Sequence, residues 1–312
     1  MANKKAQVGA ALLTMYIAWG TTYVGIALAI ESMPDLLAMG MRFLAAALLQ
    51  FLLVGFLSGF QQFRISARQL RNTCMLGTMM LAVGLGTMSA AEHVVPLSAA
   101  SLIVASMPIW TGLFRMLDGD RPRRSSVIGI AAGFIGILII LQPGQTIARS
   151  GGNGSSVTLW MFIILLGNLS WSIGSFITTR LDTPKSPMVL TTFEMFAAGV
   201  VLTFCGLLSG QRVSDFLDAT SRSWLGWTYL VIIGSVVGYS TYNFLLNNAP
   251  ISLVSTYSYV NPVVATALAL VIFDEPLTHN IVVGGLVVLV SVAIVISSEN
   301  RNSKKTISAG MS

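Results

Sequence analysis

The sequence predicts an all-α integral membrane protein, with ten transmembrane helices arranged as two inverted five-helix repeats around a central cavity. Three observations carry this prediction. The composition is strongly apolar, ten segments have the length and hydropathy of membrane spans, and the second half of the chain repeats the first. A helix needs about 20 apolar residues to cross the hydrocarbon core of a bilayer.

The composition excludes an ordinary soluble protein. Of 312 residues, 54% are hydrophobic and only 10% are charged, and the mean hydropathy is +0.77. Soluble globular proteins carry about 25% charged residues. The net charge of +6 comes from basic residues scattered through short loops. Because these residues form no continuous basic surface, we expect a lipid bilayer and a small-molecule solute as partners, and no nucleic acid.

Ten segments qualify as spans in chain order, separated by loops too short to hold a soluble domain. They are Val8–Ile30, Pro34–Leu57, Thr73–Ala91, Val94–Leu117, Ser125–Leu141, Val157–Thr179, Pro187–Leu208, Trp224–Leu246, Ile251–Phe273 and Asn280–Ser297. The very short turns at Glu92–His93 and Asn247–Pro250 predict antiparallel helix pairs.

An internal repeat divides the chain. The stretch from Leu97 to Pro122 returns at Ile251–Pro276, so that Pro108 corresponds to Pro262 and Asp120 to Asp274. Such periodicity predicts repeated structural units. Further pairs are Trp19 with Trp171, Pro34 with Pro187 and Gly84 with Gly238. Each half has five spans, an odd number, so the second half would be inserted upside down, as in many secondary transporters.

The predicted division is a first repeat over residues 1–146, an external linker over 147–156, a second repeat over 157–300 and a cytoplasmic tail over 301–312. Orientation follows from the basic residues of the loops, which concentrate on the cytoplasmic side of membranes. With the N-terminus inside, the outer loops carry only Arg149, Arg212 and Arg222. We therefore expect both termini in the cytoplasm of a cell with an inner membrane.

Two charges lie deep within predicted spans, where each costs about 2.5–3.5 kcal/mol on insertion scales. Arg42 lies eight residues beyond Pro34, and Glu194 lies seven residues beyond Pro187. Arg42 is a candidate for binding a substrate carboxylate, and Glu194 for binding an amine or a proton. The alternative is that carbonyls or other polar groups neutralise each charge, which would then serve only as a packing anchor.

Glu92 and His93 end the third span and are further candidates for proton coupling. A histidine beside a carboxylate titrates near neutral pH and can relay protons. The competing interpretation is that the pair only marks the end of a helix at the water interface.

Rings and amides near the middle of several spans predict a cavity for a modest amphipathic solute. Tyr257 and Asn261, four residues apart, share one helical face. The substrate-binding candidates, with the two deep charges, are Trp19, Arg42, Asn168, Trp171, Glu194, Tyr239, Tyr242, Asn243, Tyr257, Tyr259 and Asn261. The repeat places Leu102, Ile103, Ala105 and Met107 where the second half has Thr256, Tyr257, Tyr259 and Asn261, and this asymmetry predicts the substrate region.

Catalytic machinery is not indicated. The sequence has no phosphate-binding GK[ST] loop, no HExxH, no GxSxG and no metal-ligand spacing. We expect no enzyme activity, no cofactor and no metal site, so pumping would draw on a gradient.

Several motifs, taken in order, resemble the EamA branch of the drug/metabolite transporter superfamily, and within it the YedA-type inner-membrane permeases. They are Trp19–Gly20, PDLLAMGMRFLAAAL around Arg42, AEHVVP, MPIW, EMFAAGVVL from Glu194, and TYSYVNPVVA followed by DEPL. The likeness runs from about Val8 to Ser297. The sequence departs from the family at DGDRP, where a glycine–glutamate step is usual.

The resemblance implies ten helices around a central cavity and export of amino acids, other metabolites or drugs. We expect a secondary exporter of amino acids or related small metabolites that works by alternating access and is coupled to protons, as a monomer or weak homodimer. Efflux of cationic or aromatic drugs is the alternative within transport. A structural or lipid-handling membrane protein is the alternative of another class.

Overall fold

The computed structural model describes residues 2–119, 124–142, 154–249, 254 and 256–309. Within these ranges every regular element is helical. The predicted linker and the turn around Asp120 fall largely outside the described residues. The all-α prediction is confirmed.

Eight helices in the described part of the chain are long and apolar enough to cross a membrane. They are α1 (Lys4–Ala29), α2 (Asp35–Ser58), α3 (Ala67–Ala91), α4 (Leu97–Leu117), α6 (Ser156–Thr178), α7 (Pro187–Leu208), α8 (Ser221–Leu246) and α10, whose apolar part is His279–Ser298. The remaining two expected spans coincide with shorter apolar helices of 17 residues each, α5 (Arg124–Ile140) and α9 (Tyr257–Phe273). Helix α10 continues to Ala309, so the predicted tail is helical over most of its length.

Local sequence explains where the helices begin and bend. Helix α4 is interrupted near Ala105 and Ser106, and restarts at Met107 with Pro108 in its first turn. Proline suits a first turn because its missing N–H has no intrahelical acceptor to lose. Helices α3 and α8 each contain a π-helical segment, at Thr78–Leu85 and Leu230–Val237. Thr78 and Leu230 are 152 residues apart, so both halves carry this distortion at matching positions.

Helices α2 and α7 pack closely in antiparallel orientation. A Cβ built on Gly40 would lie 2.4 Å from the Thr203 hydroxyl oxygen and 2.6 Å from its backbone nitrogen. A Cβ on Gly199 would meet Leu44 at 2.7 Å. Residue numbers rise along α2 as they fall along α7. Membrane helices lack a hydrophobic drive to associate, so small residues that permit close approach stabilise such contacts.

The same antiparallel packing recurs between other helices. Helix α5 packs on α10, where a Cβ on Gly136 would lie 3.0 Å from the Gly284 carbonyl oxygen. Helix α8 packs on α1, where a Cβ built on Gly238 would lie 2.4 Å from the Trp19 ring nitrogen. Helix α3 packs on α6, where a Cβ built on Gly84 would lie 3.0 Å from a ring carbon of Trp171. The two residue pairs found by sequence comparison thus make equivalent contacts across the molecule.

Replacing Gly40 with alanine should destabilise the protein, because the nearest obstacles include backbone atoms of α7 that no side-chain rotation can move. Overpacking of this kind costs about 1–3 kcal/mol. The expected result is a lower midpoint of thermal unfolding for the purified protein in detergent.

Gly9→Ala is the matched control, since a Cβ there would meet nothing within 4 Å. The control should unfold at or above the wild-type midpoint, because alanine favours helix over glycine by about 1 kcal/mol. An unchanged midpoint for Gly40→Ala would show that α2 and α7 can move apart to make room for the methyl group without loss of stability.

Candidate functional site

A cavity lies between helices from the two halves of the chain. Its described lining comes from both halves, through α1, α2, α3 and α4 on one side and α6, α8 and α9 on the other. The candidates that line it are Trp19, Arg42, Asn168, Trp171, Tyr239, Tyr257 and Asn261. Ligand pockets are mostly apolar, with a few polar groups that fix the orientation of the ligand, and the rings, apolar side chains and few polar groups of this lining suit a small molecule.

Trp19 organises an aromatic wall. Its ring meets Tyr257 edge-on with centroids 5.1 Å apart and Tyr239 edge-on at 5.6 Å, and Tyr242 lies 5.3 Å away. The indole N–H donates to the Gly234 carbonyl oxygen at 3.2 Å. Edge-to-face geometry of this kind stabilises ring pairs. The wall therefore presents rings held in defined orientations.

Arg42 is the charged side chain of the described lining, and it is only 3% exposed. Its Nε donates to the Ser235 hydroxyl at 3.2 Å, and one terminal nitrogen lies 3.6 Å from the Met39 sulfur. The guanidinium carbon lies 5.0 Å from the centre of the Phe43 ring. Within the described residues, no carboxylate forms an ion pair with it. Its position on α2 thus brings a buried positive charge to the cavity.

The two amide candidates have different environments. Asn168 donates to the Ile103 carbonyl oxygen at 3.1 Å and to the Ser106 hydroxyl at 2.9 Å. It thereby ties α6 to the interruption in α4. Asn261 is 8% exposed, and its amide oxygen is buried without a hydrogen-bond partner among the described residues. Buried polar groups are normally paired, so Asn261 retains unused hydrogen-bonding capacity beside the cavity.

Other candidates lie apart from the described lining. Glu194 is buried against α3, where a Cβ on Gly77 would lie 2.3 Å from the Glu194 carbonyl oxygen. Tyr242 is not part of the described lining, but its ring packs on two lining residues, Trp19 at 5.3 Å and Tyr257 at 6.2 Å between ring centroids. The side chains of Asn243 and Tyr259 lie outside the described residues.

Glu92 and His93 have opposite environments. Glu92 is fully buried, whereas the His93 side chain is 46% exposed and its Nε2 lies 3.7 Å from an Asp35 oxygen. Asp35 also accepts a hydrogen bond from Gln211, which joins α2 to the end of α7. The exposure of His93 therefore fits a position at the water interface, whereas the burial of Glu92 does not.

Glu275 is a polar contact that the sequence prediction missed. It is 6% exposed and accepts hydrogen bonds from the backbone N–H groups of Leu97, at 2.8 Å, and Ser98, at 3.0 Å. The Ser98 hydroxyl also donates to it. The first N–H groups of a helix lack intrahelical acceptors, so Glu275 caps α4 from the end of α9. The left-handed backbone of Asp274, with φ 48°, turns the chain at this point. That rare conformation had no sequence signal beyond the acidic pair before Pro276.

Comparison with known proteins gives the family. The sequence profile of the EamA-like transporter family matches residues 8–142 and 158–297, which together make up most of the chain. The chain belongs to the EamA-like transporter family. The protein is thus a multi-pass membrane transporter and not an enzyme.

Relatives of this EamA-like transporter include the "Uncharacterized inner membrane transporter YedA" of Escherichia coli K12. The two are 36% identical over 269 residues, covering 86% of this chain and 83% of the relative. The "Probable amino-acid metabolite efflux pump" of Salmonella typhimurium LT2 is 25% identical over 297 residues, covering 90% of this chain and 92% of that one. The family, the YedA likeness and the apolar helices together indicate the inner membrane.

A solved crystal structure has the same fold. It is 17% identical, with a TM-score of 0.64, and the match covers 95% of this chain and 98% of that one. At this identity the likeness concerns only the fold of the EamA-like chain.

Removal of the Glu275 cap should destabilise the contact between α4 and α9. Glu275→Ala leaves two buried N–H donors without acceptors, each costing about 1–3 kcal/mol. We expect a lower midpoint of thermal unfolding. Glu275→Gln should fall between this variant and the wild type, because it keeps one acceptor oxygen.

Asp274→Asn is the control. It removes a charge from the same turn, and asparagine tolerates a left-handed backbone. Its midpoint of thermal unfolding should equal that of the wild type. A decrease as large as that of Glu275→Ala would show that the loss of negative charge in the turn, and not the loss of the cap, lowers the stability.

Proposed function

We propose that the protein is a secondary active exporter of amino acids or related small metabolites that works by alternating access. The observation that carries this proposal is the cavity lined by both halves, with a buried charge and an aromatic wall. Transporter sites of this type lie near the bilayer midplane between repeats. The name of the Salmonella relative supports amino-acid metabolites as the substrate class.

The underlying architecture is ten helices in two inverted repeats, with both termini cytoplasmic. Equal-numbered helices of the two halves, α2 with α7 and α5 with α10, pack antiparallel, as inversion requires. The first helix of each half packs on the third helix of the other through a tryptophan and a glycine. The family match also falls into two segments, 8–142 and 158–297. These observations support the repeat and the division between its halves.

Alternating access needs contacts between the halves that break in turn at each end of the cavity. Glu275 joins α9 to α4 at the end predicted to be external. At the opposite end of α9, the Thr256 hydroxyl bonds to Tyr16 of α1, and Tyr257 packs on Trp19. Both contacts connect one half to the other, so we assign them to closure of the outer and inner ends.

Drug efflux is the weaker alternative. Rings suit aromatic drugs, but the described lining holds no carboxylate that would attract a cation. A lipid-handling role without transport predicts no solute-dependent response of the purified protein, whereas a bound solute would raise its stability.

Export can be tested by overexpressing the protein and screening growth against toxic amino-acid analogues and metabolites. The wild type should raise resistance and lower accumulation of at least one compound. Ala105 is buried in the wall of the cavity, so Ala105→Trp would place a large ring in the cavity. This variant should confer no resistance when it is present in the membrane at the same level as the wild type.

Leu138→Trp is the matched control, because Leu138 is 67% exposed on α5. It should behave as the wild type. Resistance that persists in Ala105→Trp would separate the phenotype from the cavity.

We also propose that export is coupled to protons, with Glu194 as the first candidate and Glu92 with His93 as the second. Glu194→Gln should keep the packing of α7 on α3 but remove a titrating group. Export measured in inside-out vesicles should then lose its dependence on pH. An unchanged rate and pH profile would remove Glu194 from coupling, and the same assay on Glu92→Gln and His93→Gln would test the second candidate.

A further inference from the structure

We propose that the cavity recognises an organic carboxylate with an aromatic body, that Arg42 binds the carboxylate, and that the solute needs no ammonium group. This inference rests on the proposed function and narrows its substrate class. It differs from a general amino-acid site because it predicts a preference for the anion over the zwitterion and the cation.

The first support is the incomplete bonding of Arg42. A guanidinium carries five N–H donors, and the structure gives this one a hydroxyl at 3.2 Å and a sulfur at 3.6 Å. Sulfur is a weak acceptor. A carboxylate matches the guanidinium fork with two parallel hydrogen bonds, and would satisfy donors that face the cavity.

The second support is the balance of charge around the cavity. Glu92 and Glu194 act electrostatically on the lining residues Arg42 and Tyr239, respectively, but neither carboxylate is part of the described lining. The lining of described residues contains one guanidinium and no carboxylate. An ammonium group entering this cavity would lose its water without gaining an ionic partner, whereas a carboxylate would gain one. The arrangement therefore favours a net negative solute.

The third support is the shape of the remaining surface. Trp19, Tyr239 and Tyr257 form the ring wall already described, and Trp171 of α6 also lines the cavity. Such surfaces bind flat, unsaturated groups by stacking and edge contacts.

Three probes with one benzene body separate the possibilities: 3-phenylpropanoate as the anion, phenylalanine as the zwitterion and phenethylamine as the cation. Binding to the full-length protein in detergent is followed by tryptophan fluorescence and by thermal stabilisation. The anion should bind most tightly, phenylalanine more weakly, and phenethylamine weakest.

Arg42→Gln should raise the Kd for 3-phenylpropanoate about 10- to 100-fold, the usual loss for a hydrogen bond to a charged group, and leave that for phenethylamine unchanged or lower. Arg42→Lys keeps the positive charge but lacks the guanidinium fork, so its Kd for 3-phenylpropanoate should lie between those of the wild type and Arg42→Gln. Arg222→Gln is the control, since its Nε pairs with Glu31 at 3.0 Å on an exposed surface. If Arg42→Gln does not fold, the lysine variant and the wild-type probe order still decide.

The inference is overturned if phenethylamine binds as tightly as the anion, if neither Arg42 variant alters anion affinity, or if the wild type binds none of the probes. If the carboxylate inference fails, the growth screen still tests the exporter proposal independently, because it uses other solutes and the Ala105→Trp variant. Export of a cationic compound in that screen, with no anion binding, would retain the transporter and remove the carboxylate site.

Discussion

Close approach of helix backbones is the constraint on which the rest of the structure depends. Lipid is as apolar as leucine, so burial gives membrane helices little reason to associate, and contact area at short range must replace it. The chain meets this need with glycines that face backbone or bulky side chains, as at Gly40, Gly77 and Gly136. Because these contacts hold the helices together, α4 can be interrupted beside the cavity without loss of the fold.

That scaffold makes the unusual polar groups tolerable. A guanidinium such as that of Arg42 is costly in hydrocarbon, yet it lies on α2, a helix that packs closely on α7 through Gly40 and Gly199. Asn168 donates to the Ile103 carbonyl oxygen beside the interruption of α4, and Glu275 accepts from the N–H groups at the start of that helix. Irregular backbone inside a membrane persists where protein or a cavity surrounds it. Rigid packing and a polar interior are therefore parts of one arrangement.

Sequence reasoning reached the helices and several residues that line the cavity, because both leave periodic or compositional signals. Apolar length located the spans, and paired residues such as Trp19 and Trp171 indicated the repeat, whereas their contacts with Gly238 and Gly84 are seen only in the structure. Depth along a span indicated that Arg42 was buried. Depth does not specify which way a side chain points, so it could not predict that Arg42 is part of the described cavity lining whereas Glu194 is not. The role of Glu275 depends on one left-handed residue, which has no signature in hydropathy.

The Glu275 cap has an energetic meaning for a carrier built from duplicated halves. Perfect inverted symmetry would make the outward-open and inward-open states equal in energy. The position equivalent to Glu275 in the first half is Arg121, and an arginine side chain has no acceptor for helix N–H groups. In the proposed inverted architecture, the Glu275 bond therefore has no equivalent at the corresponding position of the first half, and this difference would make the two states unequal in energy. The proposed exporter would then favour the state with its predicted outer side shut when unloaded, so that solute enters first from the cytoplasm.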